Sequence, residues 1–373
     1  MLERKELKEL AGMRNDAVSF VSLYLNVDPF SNPKGDYLIQ FKNMVRETSA
    51  RLEREVYKRV KSDIEKIESY VLGNKRIFRK GLVLLSSVRK EFWREYHLAV
   101  PVKSEIVADK CPYIKPLLDV LDRHQRYIIA LVDKESARIF VVHLGDIVEY
   151  GEVHTPDVPG RHKKGGWFAL SQNHYERHIK FHVGLHLGDV VKKLDSFMAG
   201  EGISGLLIGG SDEAAVMTRE MLPPSASGRI VGTFQCGMSA SNDEILTRAG
   251  AVIEAYEKKK KEDTVGQLIV QAMKNNNAVL GLENVLNALH EGKVMKLVFL
   301  RDYNPPGHLC RKCGSLGVQD IQLCAYCRGE LDATDFIIDA AAQKAVEQGA
   351  TVEVVAESAR LAESGGIGAF LRF

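Results

Sequence analysis

Two Cys-x-x-Cys pairs stand ten residues apart towards the C-terminal end of the chain, Cys310/Cys313 and Cys324/Cys327. Two residues between cysteines allow a tight turn that aims both thiolates at one point, and two such turns build a tetrahedral S4 site of the kind zinc takes. Gly314 follows the first pair directly and Gly329 lies two residues past the second, where such turns favour a residue without a Cβ. Four reduced cysteines at unrelated turns are the competing reading, and the regular spacing disfavours it. All four positions are thiolates, so none is left open for a catalytic water. A structural Zn2+ on Cys310, Cys313, Cys324 and Cys327 is therefore expected. In small zinc peptides such an ion contributes on the order of 10 kcal/mol to folding. Cys111 and Cys236 stand alone. In a reducing compartment paired cysteines favour metal over disulfide.

The cluster interrupts a chain of 373 residues, a length that suits two or three domains. No apolar run reaches the roughly 18–20 residues that a membrane helix needs. Met1–Leu10 is charged and lacks an apolar signal region, so a cytoplasmic protein without membrane association is expected. The net charge is only +2, and any claim to bind nucleic acid must rest on local basic patches.

Patterning predicts a mixed α/β (α+β) fold in three domains. Residues 1–125 read as a short helix to Gly12, a strand over Val18–Leu25, one or two long amphipathic helices over Lys34–Leu72, strands at Gly81–Leu85 and Phe92–Val100, and a closing helix Pro112–His124. Residues 126–262 read as strands 127–132, 137–143 and 147–152, a loop Thr155–Gly166, a helix 171–197, strand 203–208, helix 212–221, strand 230–234 and helix 242–261. The charged run Lys258–Asp263 marks the second boundary. Residues 263–373 then form an α/β domain, with a helix over 264–275 at its start and the cysteine cluster inserted in it as a zinc-bound mini-domain.

Three further features bear on chemistry. Gly160-Arg161-His162-Lys163-Lys164-Gly165-Gly166-Trp167 combines cations with a Gly-Gly pair that lets backbone amides approach a ligand closely. Such a loop suits phosphate or an RNA backbone, and in isolation it also suits a plain surface turn. His174, His178, His182 and His186 recur at four-residue spacing with Tyr175, Arg177 and Lys180 among them. A basic, RNA-facing helix stripe fits this better than a metal site, and a solvated face fits it too. Gly184 and Gly188 predict a break or bend in that helix. Gly209-Gly210-Ser211 lacks the lysine of a phosphate-binding loop and reads as a strand-to-helix turn. Cys236 has no partner for nucleophilic chemistry and reads as a buried filler.

In order along the chain, these fragments resemble the archaeal and eukaryotic class-one peptide chain release factors and their bacterial and archaeal relatives. Leu7–Leu10, Val21–Leu25, the long helical arm and Gly81–Val83 resemble the N-terminal domain of that family. Gly160–Gly166 with the helix after it, and Ile230–Phe234, resemble the middle domain. Asn277–Gly281, the cysteine cluster and Gly366–Phe373 resemble the C-terminal domain. The resemblance implies a middle domain whose Gly-Gly-Gln tip enters the peptidyl-transferase centre. There a backbone amide stabilises the leaving 3′-oxygen of peptidyl-tRNA and the glutamine places the attacking water.

The sequence departs from that pattern twice. Its tip reads Gly165-Gly166-Trp167, with Gln172 the nearby glutamine, and the helical arm around Thr48–Arg59 has no Asn-Ile-Lys-Ser segment for stop codons. The resemblance therefore implies ribosome rescue by codon-independent hydrolysis of peptidyl-tRNA. Gly165, Gly166, Trp167 and Gln172 would act in catalysis, and Arg161, His162, Lys163, Lys164, His174, Arg177, His178 and Lys180 would touch RNA. The implied partners are the ribosome, through its rRNA and peptidyl-tRNA, and a translational GTPase. A non-catalytic surveillance or ribosome-splitting factor like Pelota, and a nuclease acting on the tRNA 3′ end, are the alternatives.

Overall fold

Val18–Leu25 carries almost no polar alternation, and most of it becomes a strand buried on both faces. A computed structural model describes residues 4–15, 17–154, 169–200, 202–318 and 322–373. The expected mixed α/β fold is present. The chain divides into two compact units, one built from Met1–Arg123 with Lys261–Phe373, the other from His124–Lys260.

The first unit begins with α1 (Arg4–Ala11), β1 (Phe20–Asn26), α2 (Tyr37–Arg51), α3 (Arg54–Gly73), β2 (Gly81–Ser87), β3 (Phe92–Leu98), β4 (Glu105–Asp109) and α4 (Lys115–Arg123). The helical arm is two helices, because Leu52 and Glu53 between them are extended. The strands form an antiparallel sheet in the order β3-β2-β1-β4. Val60, Ile64, Ile67 and Val71 form one apolar stripe of α3 and cover Leu23, Leu25, Leu82 and Leu84. Strand β4 was not expected. Only Ile106 in it is buried, and the strand exists through its pairing with β1.

The second unit holds β5 (Arg126–Val132), β6 (Ser136–His143), β7 (Asp146–His154), α5 (Ala169–Met198), β8 (Ile203–Gly210), α6 (Asp212–Met221), α7 (Pro224–Ser227), β9 (Ile230–Gln235) and the first part of α8 (Asn242–Met273). Its sheet runs β7-β6-β5-β8-β9, antiparallel through β5 and parallel beyond it. Ile128, Ala130 and Val132 face α5 and α6, while Tyr127, Ile129 and Leu131 face Ile245 and Ala249 of α8. A strand covered on both sides must be apolar throughout, as 127–132 is. The Gly209-Gly210-Ser211 turn leads into α6 as expected. Gly210 has φ +120°, and a Cβ there would run into the backbone of Val132.

The first unit resumes within α8. It continues through β10 (Ala278–Leu280), α9 (Leu282–His290), β11 (Val294–Leu300), β12 (Gly307–Cys310), β13 (Leu316–Gly317), β14 (Leu331–Thr334), α10 (Ile337–Glu347), β15 (Thr351–Val355), α11 (Ala359–Glu363) and β16 (Ile367–Leu371). The main sheet is β10-β16-β11-β15, with the last strand of the chain inside it. The cysteine pairs belong to the small sheet β13-β12-β14, inserted between β11 and α10. The helices expected on either side of Lys258–Asp263 are one continuous helix, α8. Among the described residues no helix is long and apolar enough to cross a membrane.

Lys261, in the middle of α8, shows why the charged run stays helical. Its ammonium donates to Asp122 Oδ2 at 2.5 Å and to the Val354 carbonyl at 2.8 Å, and the Val354 N–H reaches the same carboxylate oxygen at 3.3 Å. Both charged side chains are buried or nearly so. Burial pushes the Asp122 carboxyl up, against the pull of Lys261. Removing one partner of a buried pair strands the other charge. Lys261→Met should cost about 3–5 kcal/mol in chemical denaturation. Adding Asp122→Leu should restore part of that loss, and a double variant as unstable as the single one would show that the pair is not what holds this point together.

Candidate functional site

In sequence, the basic Gly-Gly segment falls between β7, an edge strand, and α5. Gly165, Gly166, Trp167, Arg161, His162, Lys163 and Lys164 lie outside the described residues. Gln172, His174, Arg177, His178 and Lys180 fall in the first turns of α5, where the backbone is helical. The helix has 30 residues, roughly 45 Å. It is anchored to the sheet by Val183, Leu187, Val190, Val191, Leu194 and Met198, which run from its middle to its C-terminal end. It runs on without a break through Gly184 and Gly188. Gly188 sits at the crossing with α6, where a Cβ would stand 3.7 Å from Met221 Cε.

Of the histidine series, His182 is partly exposed and His186 is wholly buried. A step of four residues turns about 40° around a helix, and that turn takes the later histidine into the core.

The four cysteines meet as their spacing predicts. Their sulfurs all lie within 4.8 Å of one another, with Cys310 and Cys327 at 3.4 Å and Cys313 and Cys324 at 3.6 Å. Four sulfurs about 2.3 Å from one ion define a tetrahedron with edges of about 3.8 Å, so this donor set fits a tetrahedral metal. The two turns repeat one hydrogen-bond pattern. Gly314 N–H donates to the Cys310 carbonyl and Arg328 N–H to that of Cys324, while Cys310 N–H reaches Ser315 O and Cys324 N–H reaches Gly329 O. Gly314 has φ +66°, and Arg328 occupies the matching place at φ +57°. Gly329 is required for another reason. A Cβ on it would stand 2.8 Å from Lys312 Cβ, 3.2 Å from Cys310 Sγ and 3.3 Å from Cys327 Sγ.

The turns also bias the sulfurs electrostatically. Burial pushes the Cys310 thiol up, but backbone N–H groups of Cys313 and Lys312 prevail and bring it below the ordinary thiol range. Against the same effect of burial, the Ser315 hydroxyl and the N–H groups of Cys327 and Tyr326 bring Cys324 down to about 6. At Cys327 the Gly329 N–H pulls downward, yet burial and the neighbouring sulfurs outweigh it and hold the thiol up, at about 12. The two innermost sulfurs thus favour the thiolate form that a metal requires. Sequence reasoning did not find Ser315, whose hydroxyl is 3.4 Å from Cys324 Sγ, or Lys344 of α10, which donates to the Gly314 carbonyl at 3.3 Å. Ser315, five residues past Cys310, was open to a reading of the turn. Lys344 is brought in by tertiary packing, which spacing does not encode.

The tip and α5 fall inside a stretch with known relatives. Residues 112–254 match the bacterial archaeo-eukaryotic release factor family 10. No curated protein matches the sequence. Among solved structures, the chain is similar to the archaeal translation termination factor aRF1, with 18% identity, 100% of this chain and 99% of that one covered, and a TM-score of 0.29. It is similar to Pelota of Archaeoglobus fulgidus, with 13% identity, 100% and 92% covered, and a TM-score of 0.37. It is also similar to Dom34 of S. cerevisiae, a translation termination-like factor of RNA quality control that interacts with Hbs1, with 9% identity, 75% and 73% covered, and a TM-score of 0.41.

Gly329→Ala should disturb the cysteine cluster without touching a ligand. The expected results are a lower content of bound divalent metal in protein purified without chelator and an earlier thermal transition. Retention of full metal content at an unchanged transition would show that the turn accommodates a Cβ.

Proposed function

We propose that the chain is a ribosome-associated release or rescue factor that hydrolyses the ester of peptidyl-tRNA without reading a stop codon. The match of residues 112–254 to a release-factor family carries this reading, because that stretch contains the Gly165-Gly166-Trp167 tip and the helix bearing Gln172. In the proposed reaction a water attacks the ester carbonyl, the bond to the 3′-oxygen breaks and that oxygen takes up a proton. The Trp167 N–H donates to the leaving oxygen, a role that survives the change from glutamine because it belongs to the backbone. Gln172 orients the water. Arg161, His162, Lys163 and Lys164 on the loop, with His174, Arg177, His178 and Lys180 on α5, contact RNA through its phosphates. A Zn2+ ion held by Cys310, Cys313, Cys324 and Cys327 would stabilise the inserted mini-domain and take no part in the chemistry. Residues 1–125, 126–262 and 263–373 act as the N-terminal, tip-bearing and C-terminal domains, with the ribosome and a translational GTPase as partners.

Purified stalled ribosomes decide between this and its rivals. Free peptide with intact tRNA is the expected product. Peptide on a tRNA fragment would move the assignment to a 3′-end nuclease, and neither product would favour a Pelota-like surveillance role. Gly166→Ala should lower release by about 10²–10³, the cost of displacing one oxyanion donor. Gln172→Ala with a large loss and intact ribosome binding would assign the water-placing role, whereas an unchanged rate would remove it.

Codon dependence is a separate matter. Without an Asn-Ile-Lys-Ser segment, release with a sense codon, a stop codon or an empty A site should agree within a few-fold. A strong preference for stop codons would show that another part of the first 125 residues decodes.

A further inference from the structure

The sheet edge at β3 is not fully roofed. Helix α3 covers β1 and β2, and the β3 side chains on that same face, Trp93, Glu95 and His97, stand opposite Ser86, Leu84 and Leu82. They line a groove with Tyr70 near the end of α3 and Phe78 of the α3–β2 connection. The rings form a continuous array. Tyr70 lies 5.3 Å from Trp93 and 6.3 Å from Phe78, and Phe78 lies 5.9 Å from His97, between centroids. All four keep part of their surface exposed. The exposed Lys66 ammonium, on a flexible stem, lies over Trp93 at 4.6 Å from the ring centre.

The groove is bordered by Asn74-Lys75-Arg76-Ile77-Phe78-Arg79-Lys80, which contains four cations and no carboxylate. Lys75, Arg76, Arg79 and Lys80 are all exposed, and so is Ile77 at 54%. Inside the groove stands one carboxylate, Glu95, which accepts from Trp93 Nε1 at 3.0 Å and also engages the Tyr70 hydroxyl, with His97 Nε2 4.0 Å away; a carboxylate offers about four acceptor positions and can take a further donor. Three kinds of group thus meet at one place: π-faces for stacking, an acceptor for base N–H groups and cations for phosphates.

We infer that this groove binds single-stranded RNA, with a base stacked on Trp93 in place of the Lys66 ammonium and the flanking phosphates on Lys75, Arg76 and Lys80. A duplex keeps its base faces stacked internally and cannot offer one to a ring set in a groove. An acidic peptide would satisfy the cations and leave the rings without a planar partner. The choice of RNA over DNA rests on the proposed ribosomal role. The site itself is separate from the tip and is tested without ribosomes or peptide release, so either idea can fail alone.

The chain has two tryptophans, Trp93 and Trp167. In the full chain carrying Trp167→Phe, fluorescence therefore reports Trp93 alone. Titration with a short single-stranded RNA of mixed sequence should quench that signal saturably, and duplex RNA, the DNA strand of the same sequence and poly-glutamate should quench it less. Neutralising Lys75, Arg76 and Lys80 together to Ala should weaken RNA binding at least tenfold and flatten its salt dependence by a log–log slope of about 2. Trp93→Leu should weaken binding by about fivefold to a hundredfold. The three cations are exposed, so their loss leaves folding intact, which circular dichroism checks. Absence of quenching by RNA, quenching as strong by poly-glutamate or by the DNA strand, or unchanged affinity in the triple variant would each overturn the assignment.

Discussion

The chain passes between its two compact units twice, after Arg123 and after Lys260, and a single buried ion pair lies beside both passages. Asp122 immediately precedes the first and Lys261 immediately follows the second. The same lysine reaches the Val354 carbonyl of β15, and the same aspartate accepts the Val354 N–H. Three distant parts of the sequence are thereby fixed to one another inside the first unit. Arg301 reaching Asp119 at 3.3 Å and Gln343 donating to the Ala11 carbonyl at 3.1 Å extend this fastening. A buried pair of this kind adds little net stability compared with apolar packing, but displacing either partner leaves the other charge buried and unpaired. Its value lies in specifying where the two ends of the insertion leave the scaffold.

A second constraint is steric and falls on glycines. Gly210, Gly329 and Gly366 each sit where another atom occupies the space a Cβ would need: the Val132 backbone, the Lys312 Cβ, and the Tyr303 ring. Gly366 also has φ +73°. These three positions underlie three features that were conspicuous in the sequence, namely the Gly-Gly-Ser turn, the second cysteine turn and the Gly-rich terminal stretch. The fragments Asn277–Gly281 and Gly366–Phe373, distant in sequence, prove to be hydrogen-bonded neighbours through β10 and β16.

What the sequence disclosed was the chemistry that is local. Cys-x-x-Cys turns, two-sided apolar strands and the 3.6-residue stripe of α3 are all written within a few residues of themselves. What it concealed depends on distant partners. The lysine run Lys258–Lys261 resembles a solvated connection until Lys261 meets Asp122, 139 residues earlier. Strand β4 has one buried side chain and takes its conformation from β1. Of the histidines at four-residue spacing, His186 is buried in the core, because the drift of about 40° per step turns it towards the sheet. Nor does spacing reveal that Tyr70, Phe78, Trp93 and His97 come together, since a strand, a loop and a helix each supply part of that array.

The first unit is discontinuous, and this governs the order of its assembly during synthesis. Residues 124–260 are contiguous and can close their sheet as soon as they emerge, with β5 to β9 all present. The preceding segment cannot bury α1 until α10 has been made, and the sheet of α9 and α10 cannot close until β16 arrives to sit between β10 and β11. During that interval Leu7, Leu10 and the edges of β10 and β11 are without their native cover. Apolar surface and open strand edges are where nascent chains associate wrongly or meet chaperones. A chain truncated between Lys261 and Ile367 would keep a closed middle unit and be denied a finished scaffold to carry it.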